Sequence, residues 1–346
     1  MPGMTATSMR PKTELVARWR VLAGDYVAAL EVSRDGQLCV AGLGDGCVLA
    51  LDVATGRERF RSHAHDGGVL GVSISPDGTR IASCGQAPDA KLFDDAGALL
   101  GTLPGGSSAW CEHVAWAPTG GRVATAAGRT VRVWTSRGEP LLESERLPST
   151  VTGLAWHPDG GELAASCYGG VHVLPVADGA SARHLAWKGS LVSVTWSPDR
   201  KVITGGCQDC SVHFCRRTTG HDAQMSGYPF KPKALAWDRD ATLLATSGDP
   251  IVTVWDFRGK GPEGTRPIQL ASHKGLCTTL AFSPKKGVLA SGSQDTSVLL
   301  WEPRRGPKPV RFAFLEDEIT ALAWHPQHKG LLGADASGTV CCWEVG

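Results

Sequence analysis

The sequence predicts an all-β protein, an eight-bladed β-propeller closed into a ring, on three observations. A turn motif recurs along the chain at a spacing near 40 residues. Short alternating apolar runs flank each recurrence, and the N-terminus offers a strand that the last repeat lacks.

The turn motif is read at Ser33-Arg34-Asp35-Gly36, Ser75-Pro76-Asp77-Gly78, Ala117-Pro118, His157-Pro158-Asp159-Gly160, Ser197-Pro198-Asp199, Asp238-Arg239-Asp240, Ser283-Pro284 and His325-Pro326. Positions 34, 76, 118, 158, 198, 239, 284 and 326 are separated by 42, 42, 40, 40, 41, 45 and 42 residues, the period of a propeller blade. Unit seven shows the strands most cleanly. Thr279-Leu280-Ala281-Phe282 is an inner strand, Val288-Leu289-Ala290-Ser291 follows one turn, and Val298-Leu299-Leu300-Trp301 follows another. Aromatics recur at the end of the inner strand (Trp116, Trp156, Trp196, Trp237, Phe282, Trp324) and of the third strand (Phe93, Trp134, Trp255, Trp301, Trp343). Large flat side chains suit the wedge between neighbouring twisted sheets.

The last unit supplies three strands before the chain stops at Gly346. Leu15 to Leu22 is a spare strand that would complete it and join the two chain ends. Closure removes exposed sheet edges. Residues 14–346 are therefore expected to form a single propeller domain and residues 1–13 a flexible tail.

These repeats resemble WD40 repeats from about Leu15 to the C-terminus. The closing dipeptide is Trp255-Asp256 in unit six and becomes Trp301-Glu302 and Trp343-Glu344 later. The resemblance implies that a loop His, a strand Ser or Thr, a turn Asp and the Trp lock each blade. Unit seven supplies His273, Ser291, Asp295 and Trp301; unit two supplies His65 and Ser83, with Asp89 and Phe93 in the other two places. Units four and five, ending Val173-Leu174-Pro175 and Phe214-Cys215-Arg216, depart further. Seven blades are the commoner number in that family, and seven is the alternative here, but the repeats number eight.

Composition bounds the function. The 346 residues are 42% hydrophobic and 20% charged with a formal net charge of +1, so no global field draws in nucleic acid or anionic lipid, and neither is an expected partner. No run of about 18 apolar residues exists to span a membrane, and Met1 to Thr13 has no apolar stretch suited to a secretory signal. The 11 cysteines, an odd number, lie mostly in apolar runs and point to a cytoplasmic protein.

Catalytic motifs are absent. The chain has no Gly-x-x-x-x-Gly-Lys-Ser/Thr, no Gly-x-Ser-x-Gly and no His-Glu-x-x-His. The inner strands offer mainly Ala, Ser, Thr and Gly to the channel, so the expectation is a non-catalytic protein without a cofactor. A zinc-binding propeller is the first alternative, and an enzyme with a site in the channel a weaker one. Cys207-Gln208-Asp209-Cys210 has the spacing that zinc sites use, and Cys167 holds the place of Cys207 one blade earlier. The bland reading of these thiols is packing.

The leading expectation is a protein-interaction scaffold, a monomeric propeller within a larger complex. In the family it resembles, the face with the loops entering the inner strands commonly meets partners. Here that face would be acidic on one side through Glu316, Asp317, Glu318, Asp25, Asp66 and Glu112, and basic on the other through Lys188, Lys231, Lys233 and Lys274. Such a split orients a partner and speeds encounter. Tyr26, Trp110, Tyr228 and Phe230 are the candidate aromatic anchors. Arg304-Arg305-Gly306-Pro307-Lys308-Pro309, between the third and fourth strands of unit seven, is a separate basic turn.

Overall fold

The computed structural model describes residues 13–176 and 181–345; the first twelve residues of the expected tail lie outside them. The repeat folds as read. Each unit of about 40 residues forms one antiparallel sheet, and eight sheets make a ring. In blade 1 the strands are Val27–Val32, Leu38–Leu43, Cys47–Asp52 and Glu58–His63, in that spatial order from the channel outwards. The inner strands of blades 2 to 8 are Val69–Ile74, Cys111–Trp116, Gly153–Trp156, Thr195–Trp196, Leu235–Trp237, Cys277–Phe282 and Ile319–Trp324. In blade 4 the second and third strands run on as Glu162–Pro175, with Gly169 and Gly170 at φ of 88° and 129° making the turn.

The first turn of each blade is built by its own sequence. Ser33 Oγ donates to Asp35 Oδ1 at 2.5 Å and accepts the Leu38 N–H at 2.9 Å, while Gly36 takes a φ of 75°. Ser75 and Asp77, then Ser197 and Asp199, repeat the arrangement. In blade 6 Asp238 does both jobs, accepting the N–H groups of Thr242 and Leu243 at 2.6 and 2.8 Å. The left-handed place falls there to Ala241 (φ 56°), and in blade 5 to Arg200 (φ 68°), a conformation that favours glycine.

Three of the five tryptophans ending the inner strands, Trp156, Trp196 and Trp324, bond blade to blade. Trp156 Nε1 donates to the Ala115 carbonyl at 2.9 Å, Trp196 to Ala155 at 3.1 Å and Trp324 to Ala281 at 2.9 Å. Each indole thus fills the wedge and satisfies an acceptor on the preceding blade. The core is divided accordingly into clusters between sheets, such as Trp156, Leu163 and Cys167 of blade 4 against Val131 and Val133 of blade 3.

Closure follows the sequence expectation. Val16–Leu22 pairs antiparallel with Thr339–Glu344 as the outer strand of blade 8. Trp19 Nε1 donates to the Val53 carbonyl of blade 1 at 2.8 Å. Thr13 and Glu14 add a short parallel pairing to Arg311 and Phe312 of blade 7, so the N-terminal segment spans two blades.

Candidate partner-binding face

The loops entering the inner strands and the turns between second and third strands share one face, and the blade-locking side chains hold them in place. Blade 7 has the complete set. His273 Nε2 lies 2.6 Å from Ser291 Oγ, which also accepts the Trp301 indole N–H at 2.8 Å. Ser297 Oγ stands 2.7 Å from His273 Nδ1 and donates to Asp295 at 2.5 Å, while Asp295 accepts the Lys274 N–H. Burial keeps the His273 imidazole below its usual range; the hydrogen bonds that Asp295 accepts outweigh its partial burial and draw its carboxyl down to about 2. In blade 2 His65 Nε2 meets Ser83 Oγ at 2.9 Å, but Asp89 turns to the Gly105 N–H at 3.0 Å. With Phe93 in place of a tryptophan, that lock is partial.

On the acidic side two carboxylates accept backbone N–H groups. Asp25 accepts the Tyr26 N–H at 2.6 Å, and Asp317 accepts the Glu318 N–H at 2.7 Å, so each caps its own loop. Glu316 pairs with Arg20 at 2.8 Å, whereas Asp66 is exposed and, among the described residues, no cation pairs with it. Burial, then the Glu318 carboxylate, hold the Tyr26 hydroxyl above the usual phenol range. Glu112 lies within the inner strand of blade 3, at a bulge between Cys111 and His113, and burial raises its carboxyl.

On the other side Lys231, Lys233 and Lys274 are exposed on entry loops, and Lys188 stands on the outer strand Arg183–Ser190 of blade 4. Asp209, Asp249 and Asp295 sit among these lysines, each capping its own turn. The lysine arc is therefore more nearly balanced than the acidic arc.

The aromatics divide. Trp110 is 50% exposed, Phe230 52% and Tyr26 42%. Tyr228 is instead spent inside blade 6, its hydroxyl 2.8 Å from Thr246 Oγ1 and accepting the Trp255 indole N–H at 2.7 Å. It does in blade 6 what His273 does in blade 7. Tyr168, 58% exposed on the glycine turn of blade 4, joins the face, as do Leu22 (75%) and Phe314 (54%) at the ends of the outer strands of blades 8 and 7. The only hint of Tyr168 in the sequence is an aromatic where a blade turn is due.

One channel residue also departs from expectation. Glu31 holds the inner-strand place occupied elsewhere by Ser73, Ala115, Ala155, Thr195, Ala236, Ala281 and Ala323. Burial pushes its carboxyl up to about 7, against hydrogen bonds from the Ile74 backbone and Ser73 and the charge of Arg34. A single carboxyl in a ring of small side chains is no acid–base pair.

The thiols considered for zinc do not share one cluster. Cys167 packs between blades 3 and 4 and Cys207 between blades 4 and 5, while Cys210 occupies a turn at φ 62°. Burial raises the thiols of Cys167 and Cys207, against the thiolate that a metal needs. Among the described residues no three His, Cys, Asp or Glu side chains come together to hold a metal ion.

Comparison with known proteins agrees with this geometry. The family profile "WD domain, G-beta repeat" matches residues 57–94, 97–135, 264–302 and 311–344. The chain carries WD40 repeats. The WD40 chain is 24% identical over 237 residues to "Anaphase-promoting complex subunit cdc20" of Dictyostelium discoideum, covering 64% of this chain and 46% of that protein. It is 27% identical over 220 residues to "WD repeat-containing protein slp1" of Schizosaccharomyces pombe (61% and 44%), and 24% identical over 262 residues to "WD repeat-containing protein WDS homolog" of Arabidopsis thaliana (71% and 49%). The matches thus span about half the length of these relatives. Among solved structures, the computationally designed Ika8 protein superposes with a TM-score of 0.80 at 21% identity, over 96% of this chain and 100% of that one; the likeness is of fold. Among the described residues no helix is long and apolar enough to cross a membrane.

Proposed function

We propose that this propeller is a protein-interaction scaffold that holds a partner on its loop face, around the channel mouth. The observation that carries the reading is the set of exposed aromatics, Tyr26, Trp110, Tyr168 and Phe230, standing on short loops fixed by the sheets. Rigid aromatic side chains give large contact area at small ordering cost, and the acidic arc from blade 8 to blade 2 would set the partner's orientation. Similarity to WD-repeat proteins, one of them by name a subunit of a complex, supports protein partners in general. In this reading the chain is a non-catalytic, monomeric member of a larger assembly. Its eleven cysteines, all unpaired, suit the reducing cytoplasm.

The test is affinity capture from the source cells with the wild-type chain and with a Trp110→Ala, Phe230→Ala variant. Proteins retained by the wild type and lost from the variant are expected. Equal retention by both would overturn the assignment of this face.

A further inference from the structure

The opposite face carries the turns between first and second strands, and at blades 7 and 8 two of these turns are zipped together. Ser283 Oγ lies 2.5 Å from His328 Nδ1, and the His328 ring stacks on Trp324 with centroids 5.0 Å apart. Trp324 in turn donates to the Ala281 carbonyl of blade 7 at 2.9 Å. On this platform stand Lys285 and Lys286 in the blade 7 turn and Lys329 in the blade 8 turn, all exposed. Lys308, in the outer turn of blade 7, is exposed as well. Among the described residues no carboxylate pairs with any of these four lysines, whereas Arg304 and Arg305 beside them are held by Asp238 and Glu302. The field reaches inward. After burial, Lys286 and Lys285 hold His328 below the usual imidazole range, and Lys329 and Arg18 do the same to His325.

We propose that this lysine corner is a second docking surface, one that takes a short acidic segment, a few Asp or Glu side chains, of a protein partner. The cations stand on turns already ordered by the Ser283–His328 contact and the Trp324 stack, so little backbone freedom is lost on binding. Their mutual repulsion is relieved when carboxylates arrive. The patch is short. Asp35, Glu302 and Glu344 border it, the last two already in ion pairs with Arg305 and Arg18. Those carboxylates oppose a continuous phosphate backbone, and no exposed large aromatic stands on these turns for a base to stack on. A few carboxylates therefore fit better than a nucleic-acid strand. The corner shares no residue with the loop face and does not depend on that face being a binding site.

The test uses the full chain and a twelve-residue glutamate peptide as probe, followed by the NMR titration of His325 and His328. Bound carboxylates should raise the pKa of His328, with an affinity that weakens as salt is added. A Lys285→Glu, Lys286→Glu, Lys329→Glu variant should bind at least tenfold more weakly, its fold checked by the unchanged amide spectrum. A Lys231→Glu, Lys233→Glu variant should bind as the wild type does. No shift at His328, equal loss in both variants, or tighter binding of a single-stranded oligonucleotide at the same lysines would each overturn the proposal.

Discussion

The Tyr228 hydroxyl accepts the indole N–H of Trp255 at 2.7 Å and sits 2.8 Å from Thr246 Oγ1, so a phenol locks blade 6 where an imidazole locks blade 7. The two side chains come from the same entry loop of their blades and reach the same strand positions. Tyr228→Phe should therefore cost about 1–2 kcal/mol of stability, because the Trp255 donor is left buried without an acceptor. It should leave loop-face binding unchanged. Thermal melts of Tyr228→Phe and Trp110→Ala check the distinction: the first lowers the melting temperature, and the second does not.

Ser291 and Ser83 hold equivalent places with unequal loads. Ser291 serves both His273 and Trp301, whereas Ser83 serves His65 alone. Ser291→Ala is expected to cost roughly 2–3 kcal/mol and Ser83→Ala about 1 kcal/mol. Urea denaturation of the two variants gives the ratio.

Three non-glycine residues, Arg200, Ala241 and His328 (φ 60°), sit at left-handed turn positions that glycine fills in blades 1 and 2. Ala241 has a φ of 56° and Arg200 a φ of 68°. Glycine lacks the Cβ that makes this conformation costly, so Ala241→Gly should stabilise the chain by about 0.5–1 kcal/mol. A drop in melting temperature would show that Ala241 is not strained.

Stability should fall on the acid side of neutrality before carboxylates begin to protonate. Burial holds His65 down at about 4, and His113, His213 and His273 are also lowered by burial. The folded chain thus favours neutral imidazoles, while the unfolded chain takes up protons near pH 6.5. The contribution is complete above that pH and is lost progressively as pH falls towards 4. Glu31 runs the other way. Its carboxyl is raised to about 7, so folding disfavours its ionised form. Glu31→Gln should be more stable than the wild type above pH 7, by up to about 3 kcal/mol, with the gap narrowing as pH falls from 7 and gone by about pH 4.5. Melting temperatures across pH 4 to 8 test both signs.

The repeat and the ring closure were legible because the residues that build them are local. Ser33, Asp35 and Gly36 form a turn among themselves, and the apolar runs around them alternate without help from distant chain. The last blade's missing strand and the Val16–Leu22 run fit for the same reason. The bonding of Tyr228 is not legible in the sequence, because its partners lie 18 and 27 residues away and its loop has no histidine to mark the substitution. Glu31 was missed because one carboxyl among small residues leaves no pattern. Cys167 and Cys207 fall in two different inter-blade clusters, a division that follows from blade geometry that spacing alone does not encode.

Hydrogen–deuterium exchange of the wild-type chain with its captured partner tests the loop-face assignment most directly. The account predicts protection on binding in the segments around Tyr26, Trp110, Tyr168 and Phe230, with none of it when the Trp110→Ala, Phe230→Ala variant is mixed with the same partner. Protection confined to the outer strands of the blades, with those four segments exchanging as in the free chain, would contradict it.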